Sequence, residues 1–555
     1  MQEELTHALR GAIAAAVVAG ALPEIAPPEA ILLEVPRDRA HGDWATNLAM
    51  QLAPVARMAP RKIAEAIRDH LALPAGEVEE VAIAGPGFLN FRLSRGHWHR
   101  RLQAIHDAGA QFGRLADGHR GRVLVEFVSA NPTGPMHIGH GRGAVVGDVL
   151  AHLLAARGFD VAREYYVNDA GNQVRTLGRS IWIRLRQACG AEVALPDDHY
   201  PGDYVGEMAA AWRVMHGDDL ASATEEDALA SLVPFGVEQM LVRIRADLDT
   251  LAIHFDRWFS EKDLVASGAV PTRLAELEAA GQVSVTDDGA RLLRTADHGD
   301  DKDRVVIKRD GELTYFATDI AYHADKLARG YDRLIDIWGA DHHGYIARVK
   351  AAIAMLGADP ARLDVLLVQI VNLSRDGVPV KMGKRSGAFV SLAEVVEEVG
   401  ADATRFFFLQ RRCDSMLDFD LELAKRQSND NPVYYVQYAH ARVRSLFKLA
   451  EERGYRLPDG AAPVALLIEP EEIELIQRMD SFPAVLEGAA VAGEPHRLVP
   501  YLTELAGACH AYYFKHRILG DAPDLACARL YLMETVRRVV ADGLDLLGVS
   551  APDAM

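Results

Sequence analysis

A short segment sets two histidines among glycines and prolines: Asn131-Pro-Thr-Gly-Pro-Met-His137-Ile-Gly139-His140. The two imidazoles are three residues apart around a turn, so both can face one point. Gly139 removes side-chain bulk, which lets a phosphate or an adenine approach the backbone, and the amides of a helix start favour phosphate. The spacing is therefore compatible with a nucleotide site, although taken alone it more often reflects two surface histidines that cap a helix.

Two lysines occur much later, in Lys381-Met-Gly383-Lys384-Arg385-Ser-Gly387. Lysines in a glycine-containing loop can reach over a triphosphate and neutralise the charge that develops on pyrophosphate. A basic run in a loop is usually only solvated. Its combination with the histidine segment favours a site for chemistry on ATP.

The elements around these segments predict a parallel sheet. The first set is a mostly apolar strand, a helix and a second strand, at Arg122–Val128, Gly141–Arg157 and Phe159–Tyr166. The second set has the same order, at Arg333–Trp338, Gly344–Leu356 and Val365–Val371. Strand–helix–strand units predict an α/β domain whose ligands bind at the carboxyl ends of the strands.

Two other regions flank this domain. Residues 1 to about 118 predict a small α+β unit, with helices at Leu5–Val18 and Pro60–Leu71 and strands at Ala30–Val35 and within Val81–Leu93. From about residue 395 the periodicity is helical to the end of the chain. The predicted domains are therefore 1–118, 119–395 and 396–555, with a mixed helical insertion at about 190–300.

Composition limits the class of protein. The chain has 555 residues, 49% of them hydrophobic and 25% charged, which excludes a wholly disordered chain. The net charge of −19 means that a nucleic acid must be held by local basic patches. Four widely spaced cysteines indicate neither a zinc site nor a disulfide framework, and no metal site is expected. No apolar run reaches the roughly 20 residues that span a bilayer, so we expect a cytoplasmic protein without a membrane partner.

The histidine and lysine segments resemble the His-Ile-Gly-His and Lys-Met-Ser-Lys signatures of class I aminoacyl-tRNA synthetases. Longer stretches resemble arginyl-tRNA synthetases in particular: Phe127–Arg142, Tyr165–Gln173, Tyr200–Tyr204, Asp332–Tyr345 and Asn429–Arg442. The resemblance covers the whole chain and is weakest in the insertion. Gly383 stands where the signature usually has serine, but both lysines remain. This family implies a Rossmann-like catalytic domain between a small N-terminal α+β domain and an all-α C-terminal domain.

The resemblance also implies a reaction. ATP activates L-arginine to arginyl-adenylate, and the arginyl group then moves to the terminal ribose of tRNA(Arg), with Mg²⁺ on the phosphates. The implied catalytic residues are His137, His140, Lys381 and Lys384. A monomer is expected.

The implied arginine site contains carboxylates, because the planar guanidinium fork pairs with them bidentately. Glu126 and Asp319 occupy the matching positions, with Tyr315 alongside and Asn131 at the polar backbone end of the amino acid. The residues implied on the nucleotide side are Gly139, Asp341 and His342.

The implied tRNA contacts lie at both ends of the chain: Phe88 and Asn90 in a contacting loop of the N-terminal domain, then Tyr435, Tyr438, Arg442, Tyr513 and Met555. A basic, acid-free stretch from Arg92 to Arg101, which contains Trp98, is a further candidate RNA surface. For Tyr435 and Tyr438, the alternative is a stripe of tyrosines that faces the core of the helical domain.

Two other functions remain open at this point. A small-molecule adenylating enzyme related to pantothenate synthetase also carries His-x-Gly-His, but it needs no helical C-terminal third rich in tyrosine and arginine. A catalytically inactive RNA-binding paralogue keeps that third but loses the histidines or lysines, which are intact here.

Overall fold

The structure is a computed structural model that describes residues 1–36, 38–116, 119–380, 390–457, 462–520 and 522–555. It contains two compact units. Residues 1–110, 445–481 and 507–538 form the first unit, and residues 111–444, 482–506 and 539–555 form the second. The domain boundaries at residues 118 and 395 stay a prediction.

The first unit begins with a small antiparallel sheet and its helices: α1 (Gln2–Val18), β1 (Trp44–Thr46), α2 (Leu48–Ala56), α3 (Pro60–Asp69), β2 (Val78–Ala84), β3 (Phe88–Leu93) and α4 (Arg95–Ala108). The strand order is β1-β3-β2. Leu9 and Ile13 of α1 pack with Ile63 and Phe91 in one core, as expected for an amphipathic helix.

The predicted strand Ala30–Val35 is wrong. Only Glu34 forms a bridge, to Ala45, because β1 is three residues long and offers no longer edge to pair with.

The second unit holds the remaining strands and many helices. Its elements up to the last strand of the main sheet are β4 (Arg122–Glu126), α5 (Ile138–Ala156), β5 (Asp160–Val167), α6 (Asn172–Ala188), α7 (Asp203–His216), α8 (Glu225–Thr250), β6 (Arg257–Ser260), α9 (Glu261–Ala266), α10 (Ala269–Ala279), β7 (Val283–Val285), β8 (Arg291–Leu293), β9 (Arg304–Ile307), α11 (Tyr315–Ala328), β10 (Arg333–Gly339), α12 (Ile346–Met355) and β11 (Leu363–Val368).

The main sheet is parallel, with the order β11-β10-β4-β5-β6. The chain adds β5 on one side of β4 and later adds β10 on the other, so the switch point lies between β4 and β10. Ligands of open α/β sheets bind in the crevice beyond the strand ends at such a point. The histidine segment follows β4 and therefore begins at this crevice.

Helix α5 packs closely against the segment that follows β4. A Cβ atom at Gly147 would lie 2.3 Å from Phe127 Cγ, so no larger residue fits there without displacing the ring.

The sequence predicted this helix from Gly141, whereas it begins at Ile138 because His137 is its N-cap. The strand predicted at Val365–Val371 is in fact divided: β11 ends at Val368, and the next strand begins at Val371.

The rest of the chain is mainly helical: β12 (Val371–Arg375), β13 (Val378–Pro379), α13 (Leu392–Val399), α14 (Ala401–Phe408), β14 (Leu417–Asp420), α15 (Leu421–Lys425), α16 (Pro432–Glu452), α17 (Pro470–Asp480), α18 (Phe482–Ala492), α19 (Leu498–Lys515) and α20 (Pro523–Leu546). The parallel sheet, the small α+β region and the helical C-terminal region confirm the predicted fold class. Among the described residues, no helix is both long and apolar enough to cross a bilayer.

Candidate active site

The histidine segment forms the N-terminus of α5. The His137 ring accepts hydrogen bonds from the backbone amides of Gly139 at 3.1 Å and His140 at 3.3 Å. The two imidazole rings stack with their centroids 3.5 Å apart. A Cβ atom on Gly139 would lie 3.0 Å from His137 Cε1, so glycine lets the ring fold over the helix start.

The histidine segment therefore has a structural role, since His137 caps the helix. Burial, and next the neighbouring His137, lower the pKa of His140 to about 3. His140 is therefore neutral at physiological pH. A neutral imidazole can donate one hydrogen bond to a phosphate oxygen without adding charge.

The turn between β4 and the histidine segment has an uncommon backbone. Val128 and Ser129 have φ angles of 69° and 43°, in the left-handed region that non-glycine residues rarely adopt. Ser129 Oγ donates to Glu126 Oε1 at 2.8 Å and accepts from the Tyr166 amide at 3.1 Å. This conformation turns the chain so that one hydroxyl connects the end of β4 to β5.

Glu126, a predicted arginine ligand, is buried in a charge network. Its Oε2 accepts from Lys326 Nζ at 2.5 Å, and the same ammonium donates to Asp336 Oδ1 at 2.7 Å. Lys326 and Asp336 are fully buried. Burial lowers the pKa of Lys326, but the charges of Asp336 and Glu126 outweigh it and raise that pKa above its ordinary value. The ammonium therefore stays charged between two carboxylates.

Asp319, the other predicted arginine ligand, lies on the first turns of α11. Its Oδ2 accepts a hydrogen bond from the Tyr345 hydroxyl, and burial raises its pKa. Tyr315 is the first residue of the same helix and is 60% exposed. The structure thus brings Asp319 and Tyr315 onto one helix beside the carboxyl end of the sheet.

The other predicted substrate residues are more exposed. Asn131 Oδ1 accepts from the Asn168 side chain at 2.9 Å, which connects the segments that follow β4 and β5. Asp341 and His342 lie in the short turn of helix after β10, and their side chains are 83% and 60% exposed. All three lie beyond the strand ends, where the sequence predicted them.

Lys381 and Lys384 lie outside the described residues. The described chain resumes at Val390, and Ser391 then forms an isolated antiparallel bridge with His137. Next to it, the Leu392 amide donates to the Met136 carbonyl at 2.9 Å. The residues just after the lysine segment are therefore attached to the histidine segment.

Sequence reasoning missed several residues of this region. Lys326 donates to Glu126 and to Asp336, and Tyr345 donates to Asp319. Glu261 lies at the same edge of the sheet. Glu261 and strand β6 fall inside the stretch predicted to be an insertion. The signal available for β6 was weak, because it has only four residues.

The predicted tRNA residues lie in several elements. Phe88 and Asn90 are on strand β3, not in a loop as predicted, and Asn90 is 7% exposed on the middle strand of its sheet. Tyr435, Tyr438 and Arg442 are half-buried on α16, with the Arg442 Cζ 4.5 Å from the centroid of the Tyr438 ring. The remaining two are Tyr513, half-buried on α19, and Met555, 48% exposed.

The predicted role of Trp98 in the basic stretch is wrong. Trp98 is 6% exposed on α4 and packs in the core of its unit, so it has no face for a base. Arg100 pairs with Glu77 at 2.5 Å, and Arg101 pairs with Asp480 at 2.5 Å.

Comparisons with known proteins bear on the family. Three family descriptions match: "Arginyl tRNA synthetase N terminal domain" at residues 3–93, "tRNA synthetases class I (R), catalytic domain" at 96–187 and 237–422, and "DALR anticodon binding domain" at 436–555. The chain is 52% identical over 558 residues to the arginine–tRNA ligase of Desulfosudis oleivorans, and 49% identical over 556 residues to that of Citrifermentans bemidjiense. Both alignments cover the whole of both chains. The chain belongs to the arginyl-tRNA synthetase family.

A solved structure agrees with this assignment. Thermus thermophilus arginyl-tRNA synthetase, at 26% identity, superposes with a TM-score of 0.75 over 99% of this chain and 100% of that one. The predicted family and its enzyme class, arginine–tRNA ligase with a class I catalytic domain, are confirmed. The match to an anticodon-binding domain argues against the alternative of a small-molecule adenylating enzyme, which needs no such domain.

Proposed function

We propose that this arginyl-tRNA synthetase activates L-arginine with ATP at the carboxyl end of β4 and transfers the arginyl group to the terminal ribose of tRNA(Arg). The observation that supports this most is the concentration of carboxylates beside the helix start that carries the histidines. A guanidinium needs carboxylates, and a triphosphate needs helix amides and cations. Both requirements meet at one crevice of the sheet.

The first step is an in-line displacement. A carboxylate oxygen of arginine attacks the α-phosphorus of ATP, and the bond to the bridging oxygen breaks, releasing pyrophosphate. Because the attacking group belongs to the substrate, no protein nucleophile is needed. The protein contributes orientation and stabilisation of developing charge.

We assign both sequence signatures to the phosphate side of the site. His140 is neutral and donates a hydrogen bond to a phosphate oxygen, and His137 releases the amides that it caps when a phosphate binds there. Lys381 and Lys384, which the family signature assigns to the same step, neutralise the departing pyrophosphate. Asp341 and His342, beyond β10, face the ribose of the nucleotide.

Magnesium enters with ATP. Among the described residues, no group of three histidines, cysteines or carboxylates has the geometry of a metal site. Mg²⁺ characteristically keeps several waters and binds substrate phosphates with few protein ligands. We therefore assign no protein ligand set and no step to it.

The arginine side combines Asp319 and Tyr315 with Asn131, which holds the polar end of the amino acid. Glu126 contributes negative charge from within the network of Lys326.

In the second step the 2′-hydroxyl of the terminal ribose attacks the arginyl carbonyl, and AMP leaves. The tRNA is held by Tyr435, Tyr438, Arg442, Tyr513 and Met555, with Phe88 and Asn90 of the N-terminal region.

The test is ATP–pyrophosphate exchange with each of the twenty amino acids, with and without tRNA. We expect exchange with arginine alone, and little of it without tRNA, because the family characteristically needs tRNA for activation. Efficient exchange with another amino acid would contradict the proposal.

We also propose that the enzyme works as a cytoplasmic monomer. The mass of the native protein in solution and its distribution on cell fractionation test this.

A further inference from the structure

The Tyr200–Tyr204 stretch of the helical insertion leads into α7 and has no part in the reaction proposed above. Its last residue, Tyr204, donates from its hydroxyl to the Thr133 carbonyl at 2.7 Å. A Cβ atom at Gly134 would lie 3.4 Å from the same hydroxyl oxygen. The insertion therefore contacts the middle of the histidine segment directly.

The histidine segment is held through three backbone carbonyls, three residues apart, and each has a donor from a different element. The Ala130 carbonyl, just before the segment, accepts from the Tyr165 hydroxyl of β5 at 2.8 Å. The Met136 carbonyl, just before the helix cap, accepts from the Leu392 amide of α13 at 2.9 Å. Tyr204 holds the carbonyl between them. The sheet and α13 thus fix the two ends of the segment, and α7 fixes its middle.

The Thr133 carbonyl needs this donor because its residue is buried. Thr133 is 8% exposed, and buried backbone carbonyls are nearly always paired. Burial, and next the neighbouring Tyr200, raise the pKa of the Tyr204 hydroxyl, which therefore keeps its proton and donates throughout the physiological range. Tyr204→Phe would keep the ring and leave the carbonyl without this donor.

Tyr204 is itself held by the core of the insertion. Its ring folds back over the start of α7: a Cβ atom at Gly202 would lie 2.5 Å from Tyr204 Cε1, so glycine is needed there. The ring packs against an apolar cluster that α6, α7 and α8 share, in which Val205 and Leu232 are fully buried. A side chain fixed by packing holds its polar atom within a narrow range of positions. The insertion therefore provides a rigid anchor for the segment.

We propose that Tyr204 is a positioning residue for adenylate formation, through which the insertion fixes the histidine segment at the phosphate side of the site. This inference rests on the proposed function. A shift in the middle of the segment moves its end, where the His137 ring caps the amides of Gly139 and His140. Groups that act on charge developing in the transition state lose most of their effect when they are displaced, so the rate falls more than ground-state binding does.

The test compares Tyr204→Phe with the wild-type enzyme in single-turnover release of pyrophosphate, with saturating arginine and tRNA and with rates per titrated active site. We expect the rate to fall about 5- to 50-fold, because a buried carbonyl loses its donor. The KM for arginine should change less than about 2-fold, since the proposed arginine ligand Asp319 lies on α11.

Tyr200→Phe is the matched control. It removes a hydroxyl from the same stretch, and among the described residues that hydroxyl donates to no atom of the histidine segment. The rate per active site in this variant should equal that of the wild type.

Hydrogen exchange provides a readout that does not depend on catalysis. Amides in peptides that cover residues 130–141 should exchange about 3- to 10-fold faster in Tyr204→Phe, because one bond that restrains the segment is lost. Peptides from β10 and α11 should exchange as in the wild type. A general loss of stability would instead speed exchange across the whole sheet. In Tyr200→Phe both sets of peptides should be unchanged.

Each other outcome overturns the inference. A wild-type rate per active site in Tyr204→Phe does so, and so does an equal fall in Tyr200→Phe. A slower rate with unchanged exchange means that the hydroxyl does not position the segment, and faster exchange across the whole sheet means that Tyr204 is merely structural. None of these results affects the proposed function. If wild-type enzyme does not activate arginine, the proposed function fails, while exchange of the segment still shows whether Tyr204 restrains it.

Discussion

The partners of each carboxylate near the histidine segment decide what it can still bind. Asp169 holds the start of α9, and Glu126 holds Ser129 and Lys326. The Asp319 carboxylate accepts a hydrogen bond from Tyr345, while Glu261 Oε2 has no hydrogen-bond partner among the described residues. Four acidic residues near one end of the sheet thus have different hydrogen-bond partners, which the sequence alone does not reveal.

Asp319→Asn should weaken arginine selectively. Leaving a guanidinium without its buried carboxylate costs about 3–5 kcal/mol, by analogy with a broken buried ion pair. Steady-state kinetics should show a large rise in the KM for arginine with little change for ATP. Tyr345→Phe is the control: it removes only the hydroxyl that orients Asp319, so its effect should be at most about 10-fold. An unchanged arginine KM in Asp319→Asn means that Asp319 is structural.

The sequence revealed only part of this site. Glu126 and Asp319 were found because they sit in stretches that resemble a family. Lys326 was not, because a contact with a residue 200 positions away leaves no local pattern. Glu261 stands in the ordinary acidic start of a short helix, and the burial that distinguishes it is a property of the assembled sheet.

At the scale of elements, Lys326 connects a helix to two strands. It projects from α11 to the end of β4 and to Asp336 within β10. Because these strands border the switch point, the same ion pairs that stabilise the sheet also fix the floor of the crevice.

Lys326→Met should destabilise the fold by about 3–5 kcal/mol, because it leaves two buried carboxylates without their cation. Urea or thermal unfolding measures this. Adding Asp336→Asn to Lys326→Met should restore part of the loss, since one uncompensated charge is removed. A double variant less stable than Lys326→Met excludes this account.

The acid side of the stability profile provides a check on the same network. Burial raises the pKa of Asp336, but Lys326 and a hydrogen bond with His323 outweigh it and bring the pKa to about 2. A carboxyl pKa that is lower in the folded state contributes stability above its unfolded value, near 4, and loses it as pH falls towards 2. In Lys326→Met, the free energy of unfolding should therefore depend less on pH over this acid range.

Lys384→Ala should lower the rate of adenylate formation far more than it weakens ATP binding. A cation that acts mainly on the departing pyrophosphate lowers kcat rather than raising KM. The loss should be about 10²- to 10³-fold in single-turnover assays. With glycine in place of the usual serine at position 383, we expect Lys381 and Lys384 to share the task, so the double variant should be slower than either single one. A wild-type rate with much weaker ATP binding contradicts this role.

Element boundaries show where sequence periodicity stops being informative. The helix after β4 begins three residues before its predicted start, since its cap is a histidine, which is not among the residues that typically mark an N-cap. The single strand predicted at Val365–Val371 merges two elements, because an apolar run does not reveal where pairing ends. The alternation of strands and helices was nevertheless sufficient to predict the parallel sheet.

The whole molecule is acidic, and its proposed partner is a polyanion. With a net charge of −19, long-range attraction does not bring tRNA to the protein as a whole. Binding therefore depends on local groups that combine an aromatic ring with a cation. Arg442 over Tyr438 on α16 is such a pair.

Tyr438→Ala should therefore raise the KM for tRNA without changing the KM for arginine or ATP. The ring supports the Arg442 guanidinium, and base or guanidinium stacking of this kind is worth about 1–3 kcal/mol, so we expect an increase of about 5- to 100-fold. Tyr438→Phe keeps the ring and should behave like the wild type. Because we expect activation of arginine to need tRNA, exchange at low tRNA should fall by the same factor as aminoacylation and should recover at saturating tRNA. If Tyr438→Ala instead lowers exchange equally at every tRNA concentration, the tyrosine belongs to the core of the helix and does not contact tRNA.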